Sequence, residues 1–394
     1  MKCTGLQFPL SELKKILHGW LYLENDIFVD VIMGAYIANK FQTDPLWLML
    51  IGPPSTTKTE LLRAFEGHAS ARFISNITPA TLVSGIIPKN SRPDPSLLPQ
   101  LNDKWVVLKD FTTILSMRQE QQSEIIAQLR ECYDGQYTKI FGNGKEINWR
   151  GRFGVVAACT PVWDKHYGVI GSMGDRFILY RTEHSDGGRM GLQAQKIVGQ
   201  EDRMRGEIRK AVHQFVDQFQ KIENLQFRRD EAADLMIVNL ACFVAYGRCP
   251  VDRDRYTQAI TYQPMPEGTP RLVKQLMQIG MGLALANGKN CIEGDVYAVV
   301  KKMGCDLVPV QRLRLLEELH RTKTAEVLND WRETRDIADA VNIPGATARL
   351  LLEDMMIVGI LNRQRGESSG GRPPYLWQLT ADVSEWIAAA EVFA

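Results

Sequence analysis

The first half of the chain alternates between short apolar runs and longer amphipathic segments. Each apolar run is about the length of one buried strand. The runs are residues 46–51, 72–75, 105–108, 153–158 and 177–180. Between them the apolar residues recur at helical spacing, as in 60–65 and 122–130. Strands that alternate with helices are typical of a parallel sheet covered on both faces, so we predict an α/β fold.

The rest of the chain shows a different pattern. Residues 11–40 have apolar positions at helical spacing, and helical spacing dominates again from about 192 to 310. The tail from 322 carries three helical runs and then two apolar strands around a Gly/Ser/Arg loop at 359–379, the order expected of a winged helix-turn-helix. We therefore predict four parts, which are a helical lead-in at 1–44, an α/β core at 45–190, a helical domain at 191–315 and a winged-helix domain at 316–394.

An insertion separates the third and fourth predicted strands. Within residues 136–149, Asn143 and Gly144 form a turn dipeptide flanked by extended residues, which favours a β-hairpin. Lys145 follows this turn at the hairpin tip. A compact ammonium there suits contact with the phosphate backbone of a nucleic acid, and the alternative is a solvated lysine in a turn.

The segment from Gly52 to Thr59 stands directly between the first strand and a helix. In a phosphate-binding loop the first glycine lets the backbone turn, backbone N–H groups point at phosphate, a lysine reaches the terminal phosphates and a hydroxyl binds Mg²⁺. Lys58 and Thr59 suit the last two roles. We predict a nucleotide and Mg²⁺ site formed by Gly52, Pro53, Pro54, Ser55, Thr56, Thr57, Lys58 and Thr59.

Thr57 departs from the usual pattern, which has glycine at that position. A β-branched residue disfavours a left-handed backbone. Either the loop is built without a left-handed residue at 57, or the match is accidental and the segment is a Ser/Thr-rich turn that caps a helix.

Polar residues also follow the third and fourth strands. Asp110 is the only acid at the end of the third strand, and Thr160 ends the fourth. Ligands of open α/β sheets bind outside the carboxyl ends of the strands, so both side chains are expected to face the phosphates. We assign Asp110 to catalysis and to Mg²⁺.

The phosphate loop, Asp110, the hairpin and Thr160 follow one another as in AAA+ ATPases. The chain resembles the branch of that family with a hairpin before its sensor-1 strand, which includes the minichromosome-maintenance helicases and the bacterial enhancer-binding activators. The resemblance covers roughly residues 45–310 and the tail. It implies an AAA+ core at 45–190, a helical lid at 191–315, and ATP hydrolysis at the subunit interfaces of a hexameric ring.

Three residues take their roles from this resemblance. Thr160, in Ala-Ala-Cys-Thr-Pro, resembles sensor 1, which orients water or binds the γ-phosphate. Arg176, in Met-Gly-Asp-Arg-Phe, is similar to the arginine finger that reaches the ATP of the neighbouring subunit. Arg271, in Thr-Pro-Arg-Leu, is similar to sensor 2 on the γ-phosphate. The alternative for both arginines is an ordinary surface position.

The acidic strand end differs from the family pattern. AAA+ proteins normally carry two adjacent acids there, one for Mg²⁺ and one that polarises the attacking water, whereas this chain has Lys109-Asp110-Phe111. If Trp105 starts the strand, Asp110 takes the place of the catalytic acid. If Val106 starts it, Asp110 is the metal-side acid. The family's Phe after its acids supports the first register.

Composition narrows the class of protein. A chain of 394 residues, 45% of them hydrophobic, can build two or three domains, and its net charge of +1 excludes a globally basic nucleic-acid coat. The seven cysteines have no metal-ligand spacing, and no apolar run approaches the ~20 residues of a membrane span. We expect a reduced, cytoplasmic protein without a signal peptide and with no membrane partner.

Arginines in the tail are further candidates for DNA contact. Arg349 is expected on the recognition helix, and Arg363, Arg365 and Arg372 in the wing. Acidic neighbours leave this domain near neutral, and winged helices also mediate protein contacts.

The resemblance implies an ATP-dependent DNA helicase or translocase of replication, of the kind carried by mobile genetic elements. Its partners are expected to be single-stranded or forked DNA, further copies of the chain and replication proteins. The large N-terminal DNA-binding and zinc-bearing domain of the cellular helicases is expected to be absent. The single acid at Asp110 favours an alternative, a nucleotide-switched DNA-binding or helicase-loading protein with weak hydrolysis. An AAA+ transcriptional activator is the third reading, weakened because the chain lacks the activators' sigma-factor loop motif.

Overall fold

A computed structural model gives the fold of the chain. It describes residues 6–54, 57–87, 94–167, 171, 176–183, 186–220, 227–254, 256–324, 331–367 and 373–394. The chain forms two compact units. Unit 1 comprises Met1–Arg229 and Gln278–Val299, and unit 2 comprises Asp230–Met277 and Val300–Ala394. Within the described ranges, no helix is both long enough and apolar enough to cross a membrane.

Unit 1 is built on a parallel sheet of five strands. The strands of this unit are β1 (Trp47–Ile51), β2 (Ala71–Ile74), β3 (Trp105–Leu108), β4 (Gln136–Ile140), β5 (Glu146–Arg150), β6 (Gly154–Cys159) and β7 (Phe177–Arg181). The sheet has the order β2-β3-β6-β1-β7, with every neighbouring pair parallel. Every residue of β1, β3 and β6 is buried, as expected for strands covered on both faces. The predicted α/β class and its five apolar strands are confirmed.

Helices surround this sheet and supply the rest of the core. Those of the first segment are α1 (Leu10–Trp20), α2 (Ile27–Ala38), α3 (Lys58–Arg63), α4 (Pro79–Leu82), α5 (Thr112–Leu115), α6 (Gln119–Tyr133), α7 (Gly187–Ile197) and α8 (Glu201–Asp217), with short 3₁₀ turns at Leu98–Leu101 and Pro161–His166. Trp47 of β1 lies at the centre of an aromatic cluster, 5.5 Å from Phe153 and 5.4 Å from Phe177 between ring centroids. Its indole N–H donates to the Phe153 carbonyl, so the only polar atom of this buried ring is satisfied.

The predicted hairpin is present between α6 and β6. Strands β4 and β5 pair antiparallel from Gln136↔Arg150 to Ile140↔Glu146. Gly144 has φ +80°, a left-handed conformation that glycine adopts without strain. The hairpin base is held by Trp149, whose Nε1 donates to Asn102 Oδ1 at 2.7 Å.

Unit 2 combines helices with a small sheet. The helices that lie in this unit wholly or in part are α9 (Glu231–Gly247), α10 (Pro270–Ala286), α11 (Gly294–Asp306), α12 (Val310–Thr324), α13 (Thr334–Val341), α14 (Gly345–Val358) and α15 (Ala381–Ala389). The strands β8 (Arg332–Glu333), β9 (Leu361–Arg365) and β10 (Tyr375–Leu379) form an antiparallel sheet of order β8-β10-β9. A buried carboxylate, Asp354, binds Arg253 at 2.6 Å and lies 3.8 Å from Arg312, which joins three segments of the unit.

Two glycines allow a close helix crossing inside unit 1. A Cβ built on Gly282 of α10 would collide with the carbonyl oxygen of Gly34 in α2. We expect Gly282→Ala to lower the free energy of unfolding by about 1–3 kcal/mol, because two packed backbones would have to separate. Thermal or urea unfolding measures this loss.

The matched control is Gly206→Ala in the exposed part of α8, where an added Cβ meets nothing within 4 Å. This change is expected to be neutral or to stabilise by about 0.5–1 kcal/mol, since alanine is the better helix former. Equal effects of the two substitutions would argue against the close crossing.

Candidate functional site

The end of β1 is pinned between its two neighbouring strands. Gly52 N donates to the Cys159 carbonyl at 3.1 Å, and Thr182 N donates to the Ile51 carbonyl at 2.8 Å. A Cβ at Gly52 would collide with Thr182 Oγ1 and stand 2.9 Å from Lys58 Nζ. Glycine is therefore required here by close packing.

Lys58 opens α3 and turns back over the loop. Its Nζ donates to the Pro53 carbonyl at 2.8 Å, and the residue is only 6% exposed. Burial lowers the pKa of Lys58 to about 8. Within the described part of the chain, no carboxylate lies within ion-pair distance of this ammonium. A buried cation whose described hydrogen-bond partner is a carbonyl oxygen is well suited to receive an anionic ligand.

The structure gives the backbone conformation of the loop at residue 57. Thr57 has φ −58° and ψ −9°, a right-handed helical conformation, and directly precedes α3. The loop is therefore built without a left-handed residue at 57, and a β-branched side chain is unstrained there. Ser55 and Thr56 lie outside the described residues. Pro54 and Thr59 are exposed, so the Thr59 hydroxyl is open to a metal ion.

Asp110 stands just beyond the end of β3. Its carboxylate is exposed and accepts from Thr112 N at 2.9 Å. The two flanking residues point elsewhere, because Phe111 is buried in the core and Lys109 binds Glu66 at 3.0 Å. Neither neighbour supplies a second carboxylate.

Thr160 comes directly after β6 and is half-buried in extended conformation. Ile51 pairs with Cys159, and Leu108 pairs with Ala157. The three parallel strands therefore end together. The predicted loop, Asp110 and Thr160 all follow the carboxyl ends of these strands, which form one edge of the sheet. This is the edge where α/β proteins bind ligands.

Cys159 was not singled out by the sequence, although it lies among these groups. Burial raises the pKa of its thiol, and the negative charge of Asp110 acts in the same direction. Thr112 Oγ1 lies 3.7 Å from its sulfur. Burial and this thiol act in opposite directions on the pKa of Lys58, and burial dominates.

A small cleft adjoins Lys58, and its cavity volume of about 40 Å³ leaves room for only a few water molecules. Its walls combine the start of α3 with the residue before it, the end of β7 and the turn between α1 and α2. The lining residues are Tyr22, Leu23, Glu24, Asn25, Phe28, Thr57, Lys58, Tyr180, Thr182 and Glu183. The contribution of the α1–α2 turn was not predicted, since only its interruption of the helical pattern was visible in the sequence.

Arg176 does not share this edge. It precedes Phe177, which pairs with Trp47 at the start of β1. Arg176 therefore lies at the amino ends of the strands, on the edge of the sheet opposite their carboxyl ends. Its guanidinium binds Asp134 at 3.1 Å and lies 5.6 Å from the Tyr133 ring centre. Residues 173–175, which precede it in the predicted motif, lie outside the described residues.

Arg271 belongs to unit 2, in the first turn of α10. It forms an ion pair with Glu267, and Glu267 also binds Arg248 at 2.5 Å. One carboxylate thus serves two arginines. A phosphate ligand of Arg271 would have to compete with Glu267.

The predicted DNA contacts are mostly engaged within the chain. Lys145 contacts a neighbouring loop and its side chain is 10% exposed. Arg349 binds Glu353 at 2.9 Å, and Arg363 lies 3.8 Å from the same carboxylate and 4.7 Å from the Tyr375 ring centre. Arg365 is exposed on β9, and Arg372 lies outside the described residues.

Few protein groups are available for a metal ion. In the part of the chain that the structure describes, no group of three or more His, Cys, Asp or Glu residues has the arrangement of a metal site. Thr59 and Asp110 fit the sparse coordination of a Mg²⁺ ion that is bound mainly by nucleotide phosphates and water.

A scan against models of known protein families finds no match, and a search of curated proteins finds no significant similarity.

We expect Lys58→Met to leave the nucleotide-free protein at least as stable as the parent at pH 7. The pKa of Lys58 is about 8 in the fold and 10.5 in the unfolded chain, so its charge destabilises the fold below pH 8. That cost disappears as the pH rises towards 10.5. Allowing for the lost bond to Pro53, the expected gain is about 1–2 kcal/mol.

Urea unfolding at pH 7 and pH 10 measures this gain, which is expected to shrink at the higher pH. Lys109→Met is the control, because Lys109 is partly exposed and paired with Glu66. A Lys58→Met protein that is clearly less stable at pH 7 would contradict the assignment of a desolvated, unpaired charge.

Proposed function

We propose that this chain is an AAA+ ATPase that hydrolyses ATP in a ring of identical subunits and uses the energy to move DNA. The observation that carries the proposal is Lys58, a buried ammonium with no anionic partner in the described chain, placed beside a glycine that packing requires. A triphosphate would supply the missing negative charge. Its γ-phosphate would replace the Pro53 carbonyl as the acceptor of the Lys58 proton.

Each residue at this edge receives one role in the reaction. A water molecule attacks the γ-phosphorus and ADP leaves as the P–O bond breaks. Lys58 neutralises the terminal phosphates, and Thr59 would hold Mg²⁺ together with the phosphates. Asp110 would either bind Mg²⁺ or polarise the attacking water. Neither Lys109 nor Phe111 carries a carboxylate. Asp110 would therefore be the single acid for both Mg²⁺ and the attacking water, and it would serve them less efficiently than two acids.

Arg176 is proposed to act on the nucleotide of a neighbouring subunit. Its position at the opposite edge of the sheet supports this role, because it does not adjoin the phosphate loop of its own chain. On ring assembly, Arg176 would exchange Asp134 for the neighbour's γ-phosphate. Arg271 is proposed as a sensor that would similarly exchange Glu267 for phosphate.

The coupling to DNA is proposed from three further features. We interpret α13 and α14, followed by the β9–β10 hairpin, as a winged helix-turn-helix, and the helical segment 191–315 as the lid. The hairpin β4–β5, inserted between the acid strand and the Thr160 strand, supports a mechanical element that follows the state of the nucleotide. Single-stranded or forked DNA is the proposed substrate.

A nucleotide-switched DNA-binding or loading protein is the second candidate. The observation that favours it is the single acid at the end of β3. Such a protein would assemble with ATP and hydrolyse it slowly, with no stimulation by DNA.

Steady-state ATP turnover with and without single-stranded DNA tests the proposal. We expect DNA to stimulate the wild type, and we expect Lys58→Met and Asp110→Asn each to lose about 100-fold or more. Lys109→Met removes a neighbouring lysine that faces Glu66, and it should retain turnover within about two-fold. Background turnover together with ATP-driven assembly would favour the switch. No nucleotide binding at all would overturn both candidates.

Mixing two inactive variants tests the role of Arg176 in trans. Arg176→Ala and Lys58→Met subunits are each expected to be inactive alone, since an arginine finger contributes about 10³–10⁵-fold in other nucleotide hydrolases. At mixed interfaces an intact Lys58 meets an intact Arg176, and part of the activity should return. Absence of recovery at every mixing ratio, in rings shown to be mixed, would place Arg176 outside the site.

A further inference from the structure

The tip of the β4–β5 hairpin contacts the loop that follows α4. Lys145 Nζ donates to the Ser84 carbonyl at 2.6 Å and to the Ile86 carbonyl at 2.9 Å, and it binds the Asp94 carboxylate at 2.9 Å. Three acceptors use all three protons of the ammonium. The sequence-based prediction of Lys145 as a DNA-gripping residue requires a cation that is available to phosphate, and this one is saturated.

Two other residues of the hairpin tip join the same loop. Asn143 Nδ2 donates to the Gly85 carbonyl at 2.7 Å. The Phe141 ring lies so close to Gly85 that a Cβ added there would stand 2.8 Å from Phe141 Cδ1. The loop backbone at 84–86 is therefore bound at every carbonyl by a side chain of the hairpin.

The loop end at Asp94 is itself well ordered by hydrogen bonds. Asp94 Oδ1 accepts from Ser96 N at 2.8 Å, and Ser84 N donates to Ser96 Oγ at 3.0 Å. Although partial burial acts against it, hydrogen bonds from Ser96 and Lys145 lower the pKa of Asp94 to about 2. The ion pair is thus present over the whole physiological range of pH.

We propose that Lys145 is a positioning residue that fastens the loop at Ser84–Ile86 and Asp94 to the hairpin, so that hairpin and loop move as one body. Any contact of this body with DNA is made by other groups. The fastened loop presents Ile86 and Ile87, which are 65% and 56% exposed. The DNA part of this inference rests on the proposed function, whereas the fastening itself does not.

Hydrogen exchange of the full-length protein tests the fastening without nucleotide or DNA. The amides of Ser84 and Ile86 donate to Ser96 Oγ and Ser84 Oγ, so they report opening of the loop. Lys145→Met should raise their exchange rates about ten-fold or more, because a charged donor with three acceptors is lost. Asp94→Asn should raise them less, because the asparagine oxygen can still accept from Ser96 N. The double variant should exchange no faster than Lys145→Met alone, since the asparagine keeps that bond and its lysine partner is already gone.

The matched control is Lys139→Met, which removes the same charge from the same hairpin. Lys139 binds Glu124 at 3.3 Å and lies 5.5 Å from the Phe141 ring centre, and it has no described contact with the loop itself. It should leave exchange at Ser84 and Ile86 unchanged. If Lys145→Met also leaves these amides unchanged, the fastening is refuted.

The salt dependence of binding to an oligothymidine strand separates positioning from gripping. A lysine that neutralises one phosphate contributes about 0.7 to the slope of log affinity against log salt on single strands. We expect the slope to be the same for the wild type and Lys145→Met, even where affinity falls. A slope reduced by about 0.7 in Lys145→Met and unchanged in Asp94→Asn would show gripping instead. If the wild type binds no DNA, the proposed function fails and the exchange experiment still decides the fastening.

Discussion

The position of β1 between β6 and β7 is the constraint on which the candidate site depends. All three strands are parallel and end at the same level, and backbone hydrogen bonds continue one step past β1, from Gly52 N to Cys159 and from Thr182 N to Ile51. This fixes where the chain leaves the sheet. It brings Thr182 against Gly52, turns the loop back towards α3 and leaves Lys58 beneath it. A side chain at residue 52 would collide with Thr182 and Lys58, so glycine is needed there for space and not for its backbone conformation.

Burial of Lys58 shows that the fold gives up stability at this point. Desolvation disfavours the charged ammonium, and the carbonyl of Pro53 compensates it only in part. Natural proteins tend to accept such costs at functional sites, and under the proposed function a phosphate anion would offset this one. Both Lys58 and Cys159 are removed from water. Desolvation favours the neutral form of each group, so it lowers the pKa of the lysine and raises the pKa of the thiol.

The sequence was sufficient for features that depend on local pattern. The strands β1, β3, β6 and β7 follow from their runs of apolar residues, and the hairpin follows from Asn143-Gly144. The partners of individual side chains could not be predicted, because they come from segments far apart in the chain. Lys145 meets Ser84 and Asp94 about sixty and fifty residues away, and the α1–α2 turn reaches the cleft beside Lys58. Sequence spacing contains no information about such long-range contacts.

The candidate cations differ in how firmly the chain already holds them. Arg349 has a side chain that is 47% exposed, and its pair with Glu353 is of the solvent-screened kind that contributes about 0–1 kcal/mol. A phosphate can displace that carboxylate with little loss. Lys145 is 10% exposed and bound to three acceptors, so its release would leave two loop carbonyls and Asp94 without their donor. An exposed arginine with a solvent-screened ion pair is therefore suited to transient contact with a moving anionic ligand, whereas a saturated lysine is suited to hold the moving part together.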